Sequence, residues 1–113
     1  MTSSGSTRIL PQYGPVGCAK AALDYHVRQL AVELAGRGIA VNAIRAGITD
    51  TPALRKIPGH EQMLAVAGRR HPGGRITTTE DVARAIAALA DERTAWMTGN
   101  VIGVDGGEDI SAG

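Results

Sequence analysis

Between Pro15 and Leu34 apolar residues recur at threes and fours: Val16, Ala19, Leu23, Val27, Leu30 and Leu34. That period predicts an amphipathic helix. Gly36 and Gly38 follow, as glycine does just past a helix end. "IAVNAI", residues 39–44, is short, mostly apolar and β-branched, which predicts a buried parallel strand rather than an exposed hairpin arm. The loop "RAGITDTPAL" leads to a weaker helical segment over His60 to Ala67, bracketed by Pro58-Gly59 and Pro72-Gly73-Gly74. "TTTEDVARAIAALADE" predicts a further helix. Thr78 suits its N-cap, Asp81 its positive first turn, and Val82, Ile86 and Leu89 its apolar stripe. "NVIGVDGG" closes as a strand running into a glycine turn. Met1 to Gln12 reads as loop with a strand remnant at its start. Helix, strand, short helix, helix, strand is an α/β order with a parallel sheet.

Composition narrows the setting. The chain has 113 residues and a formal net charge of +1, which suits one domain and gives no argument for nucleic acid or an anionic membrane. No run of apolar residues is long enough to span a bilayer, and the N-terminus lacks the basic start and apolar core of a signal peptide. One cysteine excludes an internal disulfide framework and fits a reducing, cytoplasmic setting. His26, His60 and His71 lie apart, with no metal-ligand spacing, so no metal is expected. Cys18, inside the first helix, is expected to be buried, and Trp96 to anchor packing. Arg69, Arg70 and Arg75 read as a solvated basic loop.

The candidate chemistry lies in "SSGSTRILPQYGPVGCAK", residues 3–20. A phenol is a poor proton donor at neutral pH, and a nearby ammonium favours its ionised form. Tyr13 and Lys20 can then serve an oxygen that gains negative charge during a reduction. Two helical turns separate them, about 10 Å along the axis, which suits bracketing a cofactor ribose rather than direct contact. Spacing alone equally fits an ordinary surface tyrosine and lysine.

Four motifs in order carry more. A serine precedes a Tyr/Lys helix. The strand "VNAI" (41–44), the loop "AGITDT" (46–51) and the turn Asp105-Gly106-Gly107 follow. Together they resemble the C-terminal half of short-chain dehydrogenase/reductases across nearly the whole chain. The fold so implied is α/β, the C-terminal half of a doubly wound Rossmann-type parallel sheet with flanking helices. Residues 1–113 would form a single partial domain lacking the dinucleotide phosphate-binding half. Ala46 stands where the family has proline. Val16 stands where the usual tyrosine would be, four before Lys20, and Tyr13 lies seven before it. That Tyr-x6-Lys spacing is similar to the enoyl-acyl-carrier-protein reductase branch. There the hydride goes to the β-carbon of an enoyl thioester and charge gathers on the more distant thioester oxygen.

The resemblance implies roles. Tyr13 hydrogen-bonds the enolate oxygen, Lys20 holds the nicotinamide ribose, and Ser3 takes the catalytic serine position. Gly47, Ile48 and Thr51 face the cofactor, which is NADP or NAD. Met63, Leu64 and Val66 match a substrate-covering segment, where plain packing is the alternative. An acyl thioester, carried by acyl carrier protein, is the implied substrate, and the full-length form is implied to be a homo-oligomer. Two other readings stay open: a 3-oxoacyl or other carbonyl reductase, and an inactive fragment acting as an association surface. Because the phosphate-binding glycine loop is absent from these residues, the chain alone is expected to bind dinucleotide weakly and to self-associate or partly unfold.

Overall fold

In a computed structural model describing residues 1–112, the elements run α1 (Gly14–Leu34), β1 (Ala43–Ala46), α2 (His60–Arg70), α3 (Thr79–Leu89) and β2 (Val101–Val104). Short 3-10 turns at Ser4–Ser6, Ala35–Arg37, Leu54–Lys56 and Glu92–Thr94 join them. β1 and β2 pair in parallel, Ala43 opposite Val101 and Ala46 opposite Val104. The N-terminal segment adds a third position on the other side of β1. Thr2 bridges Arg45 in parallel and its N–H donates to the Ile44 carbonyl at 2.8 Å. The expected parallel α/β order and the strand remnant at the N-terminus are both present.

Local chemistry explains where elements start and stop. Pro15 in the first turn of α1 has its φ already set for a helix. Tyr13 is the N-cap residue with φ −100° and makes no side-chain cap bond. α3 starts on a full capping box: Thr78 Oγ1 accepts from Asp81 N at 3.2 Å, and Asp81 Oδ2 accepts from Thr78 N at 2.9 Å.

Several boundaries differ from the sequence pattern. β1 covers Ala43–Ala46 rather than residues 39–44. Upstream, Asn42 takes the place of a ladder partner: its Oδ1 accepts from Asn100 N at 3.1 Å and its Nδ2 donates to the Met97 carbonyl at 2.7 Å. β2 ends at Val104 because Asp105 turns the chain, accepting from Gly107 N at 3.0 Å and Asp109 N at 3.3 Å. Gly106 and Gly107 there have φ of +57° and +87°, which glycine adopts without strain. α2 runs on to Arg70 and α3 is confined to Thr79–Leu89.

The core is small and holds Val27, Ala31, Ala43, Ile44, Ala67 and Val82. On α1 the buried face is Asp24, Val27 and Ala31; Val16 and Leu30 of the expected stripe are exposed. Ile86 on α3 is likewise exposed. Two packing expectations are overturned. Trp96 is 98% exposed, projecting from the turn between α3 and β2, and Cys18 is exposed on α1. The arginines are not a free basic loop either. Arg75 makes a bidentate pair with Asp81 at 2.6 and 3.1 Å, and Arg70 donates to the Ser111 carbonyl at 3.2 Å. An ion-pair chain ties both ends of the molecule to the sheet, with Asp109 accepting from Arg8 at 3.1 Å and from Arg45 at 3.0 Å.

Candidate active site

Thr2 pairs with Arg45, so Ser3 and Gly47 both lie beyond the carboxyl ends of neighbouring parallel strands. In open α/β sheets that end is where ligand crevices form. Two groups of expected site residues gather there.

The first group is Ser3 and Tyr13. Ser3 Oγ lies 3.2 Å from the Tyr13 hydroxyl, within hydrogen-bond reach, and also accepts from Gly5 N at 3.2 Å. The serine therefore caps the Ser4–Ser6 turn and meets the phenol with one atom. Tyr13 is half-buried at the N-cap of α1, two residues before Pro15, so it sits at the helix entry rather than on its face. Gln12 precedes it at φ +63°, the left-handed region that non-glycine residues seldom adopt. A groove of about 230 Å³ runs beside the ring, lined by Gly5, Arg8, Leu10, Tyr13, Gly17 and Cys18. Lys20 lies two turns along α1, and its Nζ donates to the Met1 carbonyl at 2.9 Å. No hydrogen bond joins it to Tyr13 among the described residues, in keeping with their helical separation.

The second group is the loop after β1. Gly47 N donates to the Val104 carbonyl at 3.0 Å, continuing the ladder for one residue. Ile48 N donates to Glu108 Oε2 at 2.9 Å. Thr51 Oγ1 accepts from Leu54 N at 3.1 Å and so caps the turn that follows. Asp50 pairs with Arg55 at 2.8 Å, and that guanidinium holds the Asp50 carboxyl below its usual range. Arg75 and then the Thr78 backbone N–H hold the Asp81 carboxyl well below the usual carboxylate range.

Gly5 and Glu108 were not singled out by motif. A Cβ on Gly47 would lie 2.8 Å from Glu108 Oε2 and 3.1 Å from Asp105 Cα, and against Thr77 Oγ1. The space that glycine leaves at position 47 and the donor set of Lys20 are compatible with a nicotinamide nucleotide, although the Gly47 and Ile48 amides are bonded to Val104 O and Glu108 Oε2. Met63, Leu64 and Val66 on α2 line neither the Tyr13 groove nor the larger, 420 Å³ cavity between His71, Arg84 and Gly106. That cavity holds none of the expected site residues. Among the described residues no group of three or more His, Cys, Asp or Glu is placed to hold a metal, and no helix is long and apolar enough to cross a membrane.

Comparison with known proteins identifies the family. Residues 1–108 match the family model described as Enoyl-(Acyl carrier protein) reductase. The chain is 39% identical over 108 residues to the enoyl-[acyl-carrier-protein] reductase [NADH] FabI of Escherichia coli, covering 96% of this chain and 41% of that protein. It is 38% identical over 114 residues to the 1-cyclohexenylcarbonyl-CoA reductase of Streptomyces collinus, covering 99% and 41%. The crystal structure of the Bacillus cereus enoyl-acyl carrier protein reductase with NADP+ and indole naphthyridinone superposes with a TM-score of 0.92 at 35% identity, covering 96% of this chain and 42% of that one. The chain belongs to the enoyl-(acyl carrier protein) reductase family of short-chain dehydrogenase/reductases, and its α/β layers are of the Rossmann type. It spans about two fifths of the length of the relatives it matches.

Proposed function

We propose that this chain supplies the active-site helix and the nicotinamide-facing loop of an NAD(P)H-dependent enoyl-thioester reductase, as the C-terminal portion of the family's doubly wound sheet. The carrying observation is the Ser3–Tyr13 hydroxyl pair, 3.2 Å apart at the carboxyl end of the strands, with Lys20 two turns along the same helix.

A bound reduced nicotinamide supplies the hydride for the β-carbon of the thioester. As the double-bond electrons move toward the carbonyl, the thioester oxygen gains charge, and the Tyr13 hydroxyl donates a hydrogen bond to it. Ser3 fixes the direction of that hydroxyl. Lys20, released from the Met1 carbonyl, holds the ribose hydroxyls and adds positive field. A proton reaching the α-carbon completes the two-electron reduction. Gly47, Ile48 and Thr51 receive the carboxamide and the neighbouring phosphate. NADH, named for the Escherichia coli relative, and NADP+, held by the Bacillus cereus structure, present the same nicotinamide to these residues. The carrier is acyl carrier protein or coenzyme A, the thioesters that the relatives' names specify. The exposed apolar residues of α1, Val16, Leu30 and Val32, support a homo-oligomer in the full-length form.

The test is a chimera in which residues 1–108 replace the matching segment of the Escherichia coli relative. Crotonyl-thioester reduction is followed at 340 nm. We expect turnover, and a fall of about 10²–10³ in kcat for Tyr13→Phe with NADH affinity kept. A folded chimera that binds NADH without turnover, or one indifferent to Tyr13→Phe, refutes the reading.

A further inference from the structure

Gly5 occupies the middle of the Ser4–Ser6 turn, and its backbone lies outside the left-handed region. Torsion therefore does not call for glycine there. Space does. A Cβ built on Gly5 would sit 2.5 Å from Tyr13 Cδ1 and against Cε1. Real Cβ atoms do not approach ring carbons so closely. The phenol ring lies in the volume that any other side chain at position 5 would fill.

The other side of the turn is equally tight. A Cβ on Gly17, one turn into α1, would sit 2.9 Å from the Gly5 carbonyl oxygen and 3.7 Å from Tyr13 Cδ1. Gly17 N donates to the Tyr13 carbonyl at 2.7 Å as the first bond of α1, and the two glycines let the Gly5 carbonyl pack closely against the helix start. Within that packing the ring points at Ser3, whose Oγ is held in turn by Gly5 N.

We propose that Gly5, with Gly17 behind it, is a positioning residue for Tyr13: its absent side chain is what lets the phenol reach Ser3. The proposal rests on the reading of Tyr13 as the catalytic phenol for its importance, and on geometry alone for its truth. In Gly5→Ala the half-exposed ring yields more easily than the turn. The fold survives, the ring swings out, and the Ser3–Tyr13 bond is lost.

The experiment labels the chimera of residues 1–108 in the Escherichia coli relative with 3-fluorotyrosine, and loss of one signal in Tyr13→Phe identifies the fluorine resonance of position 13. Ser3→Ala sets the shift that marks loss of the hydroxyl pair. Gly5→Ala is expected to move the resonance by at least as much while circular dichroism stays unchanged, and adding Ser3→Ala to it is expected to move it no further. Gly17→Ala, a favourable change for a helix interior, is expected to shift the resonance in the same sense by pressing on the Gly5 carbonyl. It decides the matter should Gly5→Ala fail to fold. A resonance unmoved in the folded glycine variants, or a full Ser3→Ala effect persisting on Gly5→Ala, overturns the proposal. A chimera that tolerates Tyr13→Phe would instead sink the catalytic reading and leave the fluorine result standing.

Discussion

Gly47→Ala is the sharpest test of the loop that follows β1. Gly47 is half-buried and its φ is compatible with alanine, so the unfolded chain's lost freedom would by itself favour the variant by about 0.4–1 kcal/mol. Contacts oppose it. The new methyl meets Glu108 Oε2 at 2.8 Å, and that carboxylate can rotate away only by releasing Ile48 N–H, a loss of about 1 kcal/mol for a half-exposed charged bond. The methyl also meets Asp105 Cα at 3.1 Å. That atom is backbone, held close by the Gly47 N to Val104 O bond of 3.0 Å. Overpacking against such a neighbour costs about 1–3 kcal/mol. The net expectation is a loss of about 1–3 kcal/mol, or roughly 5–15 °C in melting temperature for a chain of this size. Thermal melts give the magnitude. Amide exchange at Ile48 gives the cause, since its protection should fall with the stability. An unchanged or raised midpoint would mean that the close approach of Gly47 to residues 105 and 108 is absent in solution.

Three further outcomes follow from the same geometry. Thr78→Ala removes the side-chain half of the α3 capping box and should cost about 1 kcal/mol, read as a shift in urea midpoint without a change in slope. Because the Asp81 carboxyl is held low by Arg75 and the Thr78 N–H, it binds its proton less readily folded than unfolded. Its contribution is complete above the ordinary aspartate range near ~3.9 and is lost as pH falls through and below that value; acid titration of Asp81→Asn should show a flatter loss of stability than the parent. Gln12→Asn should raise stability by about 0.5–1 kcal/mol, since asparagine accepts the left-handed geometry found at φ +63° better than glutamine. A melt no higher than the parent's would contradict that torsion.

Much of this was readable from the chain and some was not, for physical reasons. α1 and α3 announce themselves because their start signals, Pro15 and Thr78, are local and act on backbone groups a few residues away. The parallel pairing follows from the order of elements, yet its limits do not. Asn42 ends the ladder through partners at 97 and 100, and those lie more than fifty residues on. Cys18 and Trp96 misled because residue type stood in for surroundings. Neither finds a neighbouring layer to cover it among the described residues. In the site, Tyr13, Lys20 and Ser3 stand out by motif, whereas Gly5 and Glu108 carry no motif. Their part is visible only once Tyr13 packs over the turn and the C-terminal turn reaches Ile48, 60 positions back.

The pairing of residue 43 with residue 101 also has a consequence in time. α1 needs only its own neighbours and can form within about a microsecond of its synthesis. β1 must wait for a strand about 58 residues downstream. At about 5–20 residues per second that is a delay of roughly 3–12 s. During it the Ala43–Ala46 backbone has, at best, Thr2 on one side and nothing on the other, an open edge suited to pairing with strangers. Ordered synthesis, a chaperone, or early docking of α3 over that edge would then govern the yield of folded chain. Slowing translation between residues 46 and 101 should lower that yield even though the finished molecule is identical.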